Sequence, residues 1–294
     1  MTTRAAVLIL EHQQPQRLAA LLRSLEHPDI DVYVHLDARV SRGPFELLAP
    51  PGPQLTYLGE DDRVPVVWGD LSLVEASLAT LRVALGSERQ YGRYALLSGA
   101  DLRIAPLDEI LTGWSSAAEF LRIDRALTGP DGRPNWRVRR RHFRRDTGPV
   151  GRVLSGRLPR AVDETLDLYQ GSQWWALTDG AARHVCDFLD RHPGWLRFHR
   201  HSFGPDEIVV QSIIANSPYA QAITQNYSHA GTDADPRLHG MHYIDWSDPT
   251  ASSPRVLSIG DQMDLRESPA FFARKIGPGS AELVAAFGRD LAGR

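Results

Sequence analysis

The 294-residue chain contains one cysteine, Cys186, and one lysine, Lys275. A single thiol cannot close a bridge within the chain, which excludes a small scaffold stapled by disulfides. Long apolar runs are missing too. The longest early one, Ala5–Leu10, is followed at once by Glu11 and His12, whereas a membrane-spanning helix needs about 20 apolar residues. With no charged leader and cleavage site visible, a cytoplasmic location and no transmembrane segment are expected. Net charge is also small, −3 from 33 Lys+Arg and 36 Asp+Glu. Modules that bind nucleic acid are usually basic overall, so no nucleic-acid partner is expected. Several site motifs are absent. No Gly-x-x-x-x-Gly-Lys loop occurs, no Gly-x-Gly-x-x-Gly follows the first apolar run, and there is no His-Glu-x-x-His, which argues against a P-loop nucleotidase, a dinucleotide oxidoreductase and a zinc hydrolase. Asp233-Ala234-Asp235 is an acidic string of the sort that can grip a divalent cation, but it lies in a late Gly/Pro-rich loop. No metal and no cofactor are expected.

The remaining composition, 42% hydrophobic and 23% charged, is that of an ordinary globular protein. Arg4–Leu10 and Asp31–Leu36 read as buried strands, Leu55–Leu58 as a short one and Tyr94–Leu97 as another. Pro15 opens a helix with Leu18, Leu21, Leu22 and Leu25 on one face. Asp70 can cap a second helix that buries Leu71, Val74, Leu78, Leu81 and Leu85. Strands alternating with helices predict a mostly parallel sheet covered on both faces. Ligands of such sheets sit at the carboxyl ends of the strands, which directs attention to Asp37 and to Ser98-Gly99-Ala100-Asp101.

Residues 122–160 differ. They carry 12 Arg against Asp124, Asp131 and Asp146, a local charge of 12 − 3 = +9, and read as a basic, loop-rich insertion. Its Arg137, Arg139, Arg140, Arg141, Arg144 and Arg145 suit either a phosphate-facing wall or a solvated face. Beyond it, Gln173–Leu177 reads as a strand, 179–190 and about 205–214 as helices, Gln221–Thr224 and Met241–Asp245 as short strands, and Ser280 as the cap of a terminal helix. One elaborated α/β domain over 1–294 is expected, with 122–170 inserted between the halves 1–121 and 171–294.

Candidate chemistry is concentrated in a few places. Pro205-Asp206-Glu207 places two acids at the expected start of a helix, where they either complement the helix dipole or supply a carboxylate that takes a proton from a hydroxyl. Arg255 and Lys275 are either solvated or the pair that neutralises a diphosphate. Trp174-Trp175 and Tyr243/Trp246 are either core or platforms for sugar faces.

The segments Ala6–His12, Tyr33–Asp37, Trp68–Ala76, Leu96–Asp101, Gly171–Thr178, Pro205–Glu207, Tyr243–Trp246 and Phe272–Lys275, in that order, resemble the core-2/I-branching β-1,6-N-acetylglucosaminyltransferases and peptide O-xylosyltransferases (glycosyltransferase family 14). Arg141-His142-Phe143 is similar to a further stretch of that family. The resemblance implies a GT-A-type fold, a UDP-sugar co-substrate, inversion at the anomeric carbon, and basic side chains in place of a metal. By it, Glu207 is the base, Lys275 and Arg255 hold the donor diphosphate, and Leu10, His12, Asp37, Trp68, Gly69, Ser98, Gly99 and Asp101 surround the nucleotide and donor. Arg140, Arg141, Trp174, Trp175, Asp245 and Trp246 fall on the sugar and acceptor side. The 1–121 half would bind the nucleotide sugar and the 171–294 half would carry catalysis and the acceptor, a carbohydrate, peptide or natural product. The lack of disulfides and anchor is what a bacterial, cytoplasmic version would show. Leu102-Arg103-Ile104 departs from the family's Tyr/Phe-Pro-Ile, which leaves the donor sugar open between GlcNAc and xylose. The rivals are a non-catalytic binding protein that keeps the fold and, for the Arg-rich stretch, a nucleic-acid binder.

Overall fold

The computed structural model describes residues 4–129, 132–143, 148–228, 235–248 and 250–292. Arg144, Arg145, Asp131, Asp146 and the Asp233-Ala234 part of the acidic string lie outside them. In chain order, β1 (Ala5–Glu11), α1 (Pro15–Ser24), β2 (Ile30–Leu36), α2 (Gly43–Leu48), β3 (Leu55–Tyr57), α3 (Leu71–Leu85) and β4 (Arg93–Ser98) form the first half. Then come β5 (Leu102–Arg103), α4 (Leu107–Trp114), β6 (Glu119–Ala126), α5 (Trp136–Arg139), α6 (Gly148–Leu154), β7 (Tyr169–Gly171), β8 (Ala176–Thr178), α7 (Asp179–Arg191), α8 (Pro193–His199) and α9 (Val209–Ala215). The chain closes with β9 (Ile223–Asn226), β10 (Leu238–His239), β11 (His242–Ile244), α10 (Gln262–Glu267), β12 (Phe272–Arg274) and α11 (Ala281–Ala292).

The main sheet has eight strands in the order β3-β2-β1-β4-β8-β6-β7, with β9 also paired to β6. Strands β1, β2, β3, β4, β6 and β9 run one way, and β7 and β8 run against them. Strand β1 is buried on both faces and therefore reads as a continuous apolar run. Its Ala6 and Leu8 pack with α3, α7 and α9, while Ala5, Val7 and Ile9 pack with α1, α2 and α4 on the opposite face. The helix predicted from Pro15 buries Leu18, Leu21 and Leu22. Asp70 caps α3 as expected, its carboxylate accepting from the Ser72 amide at 3.1 Å.

A second sheet, β10-β11-β12-β5, encloses its own core with α10 and α11. Apart from β11, the sequence pattern does not predict it, because strands of two or three residues leave no periodicity to read. Other boundaries also moved. Residues 122–126 belong to β6 rather than to a loop, because Leu121 and Ile123 are buried in the sheet. The strand expected at Gln173–Leu177 is replaced by β7 and β8, and Trp174 and Trp175 stand in the connection between them. The helix expected over 205–214 begins only at Val209. Pro205–Glu207 is instead a single 3-10 turn, preceded by Gly204 in the left-handed region at φ 61°. The helix-dipole argument for these two acids therefore does not apply. Ser280 precedes α11, but its hydroxyl accepts from the Gly277 amide and donates to the Leu257 carbonyl.

One buried cation joins the layers. Arg93 on β4 is fully enclosed and donates to the carbonyls of Trp114, Ser116, Ala118 and Ala176. Glu119 lies 3.9 Å away, equally buried. Burial brings the Arg93 pKa down to about 10.

Candidate active site

The carboxyl ends of β1 and β4, the segment just beyond β2, and the 3-10 turn Pro205–Glu207 surround a cleft of about 920 Å³. This is where a mostly parallel sheet places its ligands. The floor is closed by a tight contact. Glu11 at the end of β1 lies directly over Gly99, and any side chain at that position would collide with its carboxylate. Glu11 in turn accepts from the amides of His12 and Gln13, at 2.6 and 2.7 Å.

The acidic wall is Asp206 and Glu207. Arg137, delivered by α5 from the basic insertion, donates to Glu207 Oε2 at 2.7 Å, and Gln170 Nε2 reaches the same oxygen at 3.3 Å. The short α5 is itself capped by Asn135, which accepts from the Arg137 amide. One carboxylate edge of Glu207 is thus fixed. Asp206 is different. Its Oδ1 is buried without a hydrogen-bond partner among the described residues. Burial, and then the charge of Glu207, push its pKa up to about 7.

The basic wall of the same cleft is built by other segments. Lys275 Nζ is 3.2 Å from Ser253 Oγ, and burial together with the neighbouring charges of Arg274 and Arg17 holds its pKa below the usual lysine range. Arg274 is not free to bind. It donates to Asp101 at 2.7 Å and Ser98 at 2.9 Å, and its guanidinium stacks on Trp174 at 4.0 Å. His242 meets the other oxygen of Asp101 at 3.1 Å.

Of the residues singled out from sequence, Leu10, His12, Asp37, Trp68, Gly69, Ser98, Gly99, Trp174, Glu207, Trp246 and Lys275 line this cleft. Asp37 accepts from Arg39 and from the Val66 amide. Burial would raise its pKa, but these bonds outweigh it and bring it to about 2. Trp68 and Trp246 are exposed at the rim. The other candidates are placed elsewhere. Asp101 is buried beneath the cleft, holding Arg274 and His242. Trp175 is core. Arg255 and Asp245 are committed to each other at 2.7 Å, and Arg255 also pairs with Asp261 at 2.5 Å. Arg140 donates to the carbonyls of Gly156 and Arg157, and the Arg141 backbone pairs with Leu158. None of Asp101, Trp175, Arg255, Asp245, Arg140 and Arg141 is among the lining residues; the first five spend their side chains on neighbouring protein, and Arg141 is exposed.

Arg137, Arg17 and Gln170 are among the lining residues that the sequence does not mark as site residues. Arg137 was only one of a run of arginines, Arg17 was hidden in the polar stripe of α1, and Gln170 lay in the divergent insertion. Arg137 and Glu207 are 70 positions apart, and no local pattern connects them.

The family model described as Core-2/I-Branching enzyme matches residues 6–266. The chain belongs to the core-2/I-branching enzyme family. It is thereby a member of a glycosyltransferase family, and its fold is mixed α/β with a mostly parallel main sheet. Among curated proteins it is similar to a xylosyltransferase of Ciona intestinalis, 23% identical over 279 residues covering 92% of this chain and 32% of that protein. Xylosyltransferase 1 of Homo sapiens is 22% identical over 283 residues, 92% of this chain and 28% of that one. The chain spans about a third or less of the length of these relatives. Among solved structures, mouse xyloside xylosyltransferase 1 in its apo form aligns over 92% of this chain and 96% of that one at 10% identity and a TM-score of 0.37. A 4-diphosphocytidyl-2C-methyl-D-erythritol synthase aligns over 69% and 87% at 14% identity and a TM-score of 0.33. Among the described residues no helix is long and apolar enough to cross a membrane.

Proposed function

We propose that this member is a metal-independent, inverting glycosyltransferase that moves GlcNAc or xylose from a UDP-sugar to an acceptor hydroxyl. The single observation that carries this reading is that Glu207 and Lys275 open onto one cleft at the carboxyl ends of the sheet strands. An inverting transfer needs a carboxylate on one side of the sugar and a cation on the leaving group at the other. That logic is the one by which inverting hydrolases place a base opposite the departing oxygen. The acceptor O–H gives its proton to Glu207 while its oxygen attacks the anomeric carbon. The bond from that carbon to the diphosphate breaks, and its electron pair leaves with UDP, giving a β-glycoside from an α-linked donor. General-base catalysis of this kind contributes typically about 10²–10⁴ in rate.

Arg137 contributes orientation. Its bond occupies Glu207 Oε2, so the other oxygen is the one presented for the proton. Lys275 supplies positive charge to the departing diphosphate, and positioned donors of this sort are worth roughly 3–4 kcal/mol each in the transition state. The exposed Trp246 at the rim offers an apolar face to an acceptor carbohydrate, peptide or natural product. The names of the matched relatives favour xylose over GlcNAc as the donor sugar.

Substituting Glu207→Gln keeps the shape and the Arg137 contact but removes the base. The expected result is a loss of transfer of at least about 10²-fold with UDP affinity unchanged. Transfer by this variant at close to the wild-type rate would show that another group takes the proton.

A further inference from the structure

The cation expected to assist Lys275 from sequence, Arg255, is held by two carboxylates. A charge-stabilised seat for a diphosphate therefore needs a different partner. Helix α1 supplies one. It starts at Pro15, immediately past the carboxyl end of β1, so Arg17 in its first turn is carried to the cleft, which it lines. The side chain is fixed there by a bond from Nη1 to the Ile276 carbonyl at 2.7 Å, one residue beyond Lys275. Its Nε is buried and has no partner among the described residues. Neither Arg17 nor Lys275 has a carboxylate partner there either. Arginines in this chain otherwise pair repeatedly with acids, as Arg4, Arg82, Arg183 and Arg266 do. Two cations held side by side in a half-buried cleft, without a counter-ion, repel one another. Their mutual effect is visible in Lys275, whose pKa is depressed by burial and by the charges of Arg274 and Arg17. An anion seated between them removes that cost.

We infer that Arg17 is a donor-binding residue which, with Lys275, grips the diphosphate of the nucleotide sugar. The inference rests on the nucleoside-diphosphate donor proposed above. The two cations divide the work by their chemistry. With Nη1 fixed on Ile276, Arg17 directs its remaining N–H donors as a pre-oriented fork, while Lys275 acts as a compact point charge. Fixing the guanidinium in the free protein lowers the entropy lost on binding. Arg17 also ties α1 to the segment after β12 through the Ile276 carbonyl, so the seat is built from both sheets of the molecule.

The test measures the affinities of UDP, uridine and inorganic pyrophosphate by calorimetry for wild type, Arg17→Gln and Arg17→Lys. Arg23→Gln, an exposed arginine at the other end of α1, is the control. The expected result for Arg17→Gln is about a tenfold or greater weakening of UDP and pyrophosphate with uridine unchanged. Arg17→Lys should restore part of the loss, and Arg23→Gln should match wild type. A folded Arg17→Gln that retains the full wild-type preference for UDP over uridine overturns the role of Arg17 alone. A wild-type protein that holds UDP no more tightly than uridine overturns the diphosphate reading beneath it, and this inference with it. If Arg17→Gln does not fold, Arg17→Lys decides. An unchanged UDP affinity in it, together with unchanged salt dependence, counts against a fork-shaped contact.

Discussion

Asp206 and Glu207 are adjacent, yet the structure treats them differently. Glu207 has an arginine, whereas Asp206 has a buried oxygen with no partner among the described residues and a pKa raised to about 7 by burial and by Glu207. An aspartate that ionises at about 3.8 in the unfolded chain and about 7 in the fold opposes folding in a definite pH window. Between those values the unfolded state binds fewer protons, so stability falls as pH rises through that range. Below it the group is neutral in both states and costs nothing. Asp206→Asn removes the effect. The variant's melting temperature relative to wild type should therefore climb by a few degrees between pH 4.5 and pH 8. A difference that stays constant across that range would mean Asp206 is ionised in the fold as it is in the chain. Legibility from sequence was uneven at this scale. Pro205-Asp206-Glu207 could be picked out because a short motif carries it. Arg137 and Arg17 could not, because what makes each one special is the residue it meets, and that residue lies far along the chain.

At the scale of elements, β1, β2, β4, α1 and α3 were readable because each repeats one local signal. The strands are short, mostly apolar runs, α1 has leucines at helical spacing, and α3 has its Asp70 cap. The second sheet and the region from β6 to β7 were not. Their strands are held by partners distant in sequence, such as β5 against β12 and β6 against β9, and Gly171 is pressed so closely on the Arg122 carbonyl that no side chain fits. Arg93 exemplifies a joint that pattern reading misses, since it appears as a charge at the edge of a strand. In the fold it satisfies four carbonyls around α4, β6 and β8. Replacing it with methionine leaves those acceptors and the buried Glu119 without a cation. Urea unfolding should show a loss of about 3–5 kcal/mol, while the protein that remains folded keeps its UDP affinity. A loss below about 1 kcal/mol would mean the carbonyls find other donors.

For the molecule as a whole, the basic insertion, the strand ends and the late segment after β12 come together around one cleft. The acidic wall is contributed by the 3-10 turn before α9 and the basic wall by the segment after β12. The +9 charge of residues 122–160 is partly spent inside the protein, with Arg160 donating to Val138, Phe198 and Ser202 and Arg137 reaching Glu207. The lone lysine of the chain is placed on the basic wall, while its neighbour Arg274 is locked to Asp101. UDP release from UDP-xylose, UDP-GlcNAc, UDP-glucose and UDP-galactose, measured with excess EDTA present throughout, decides whether the cleft transfers sugar without a metal. Turnover of one of the first two is expected, undiminished by EDTA and absent from Glu207→Gln. No release from any of the four, or release that EDTA abolishes and Mn²⁺ restores, would contradict it.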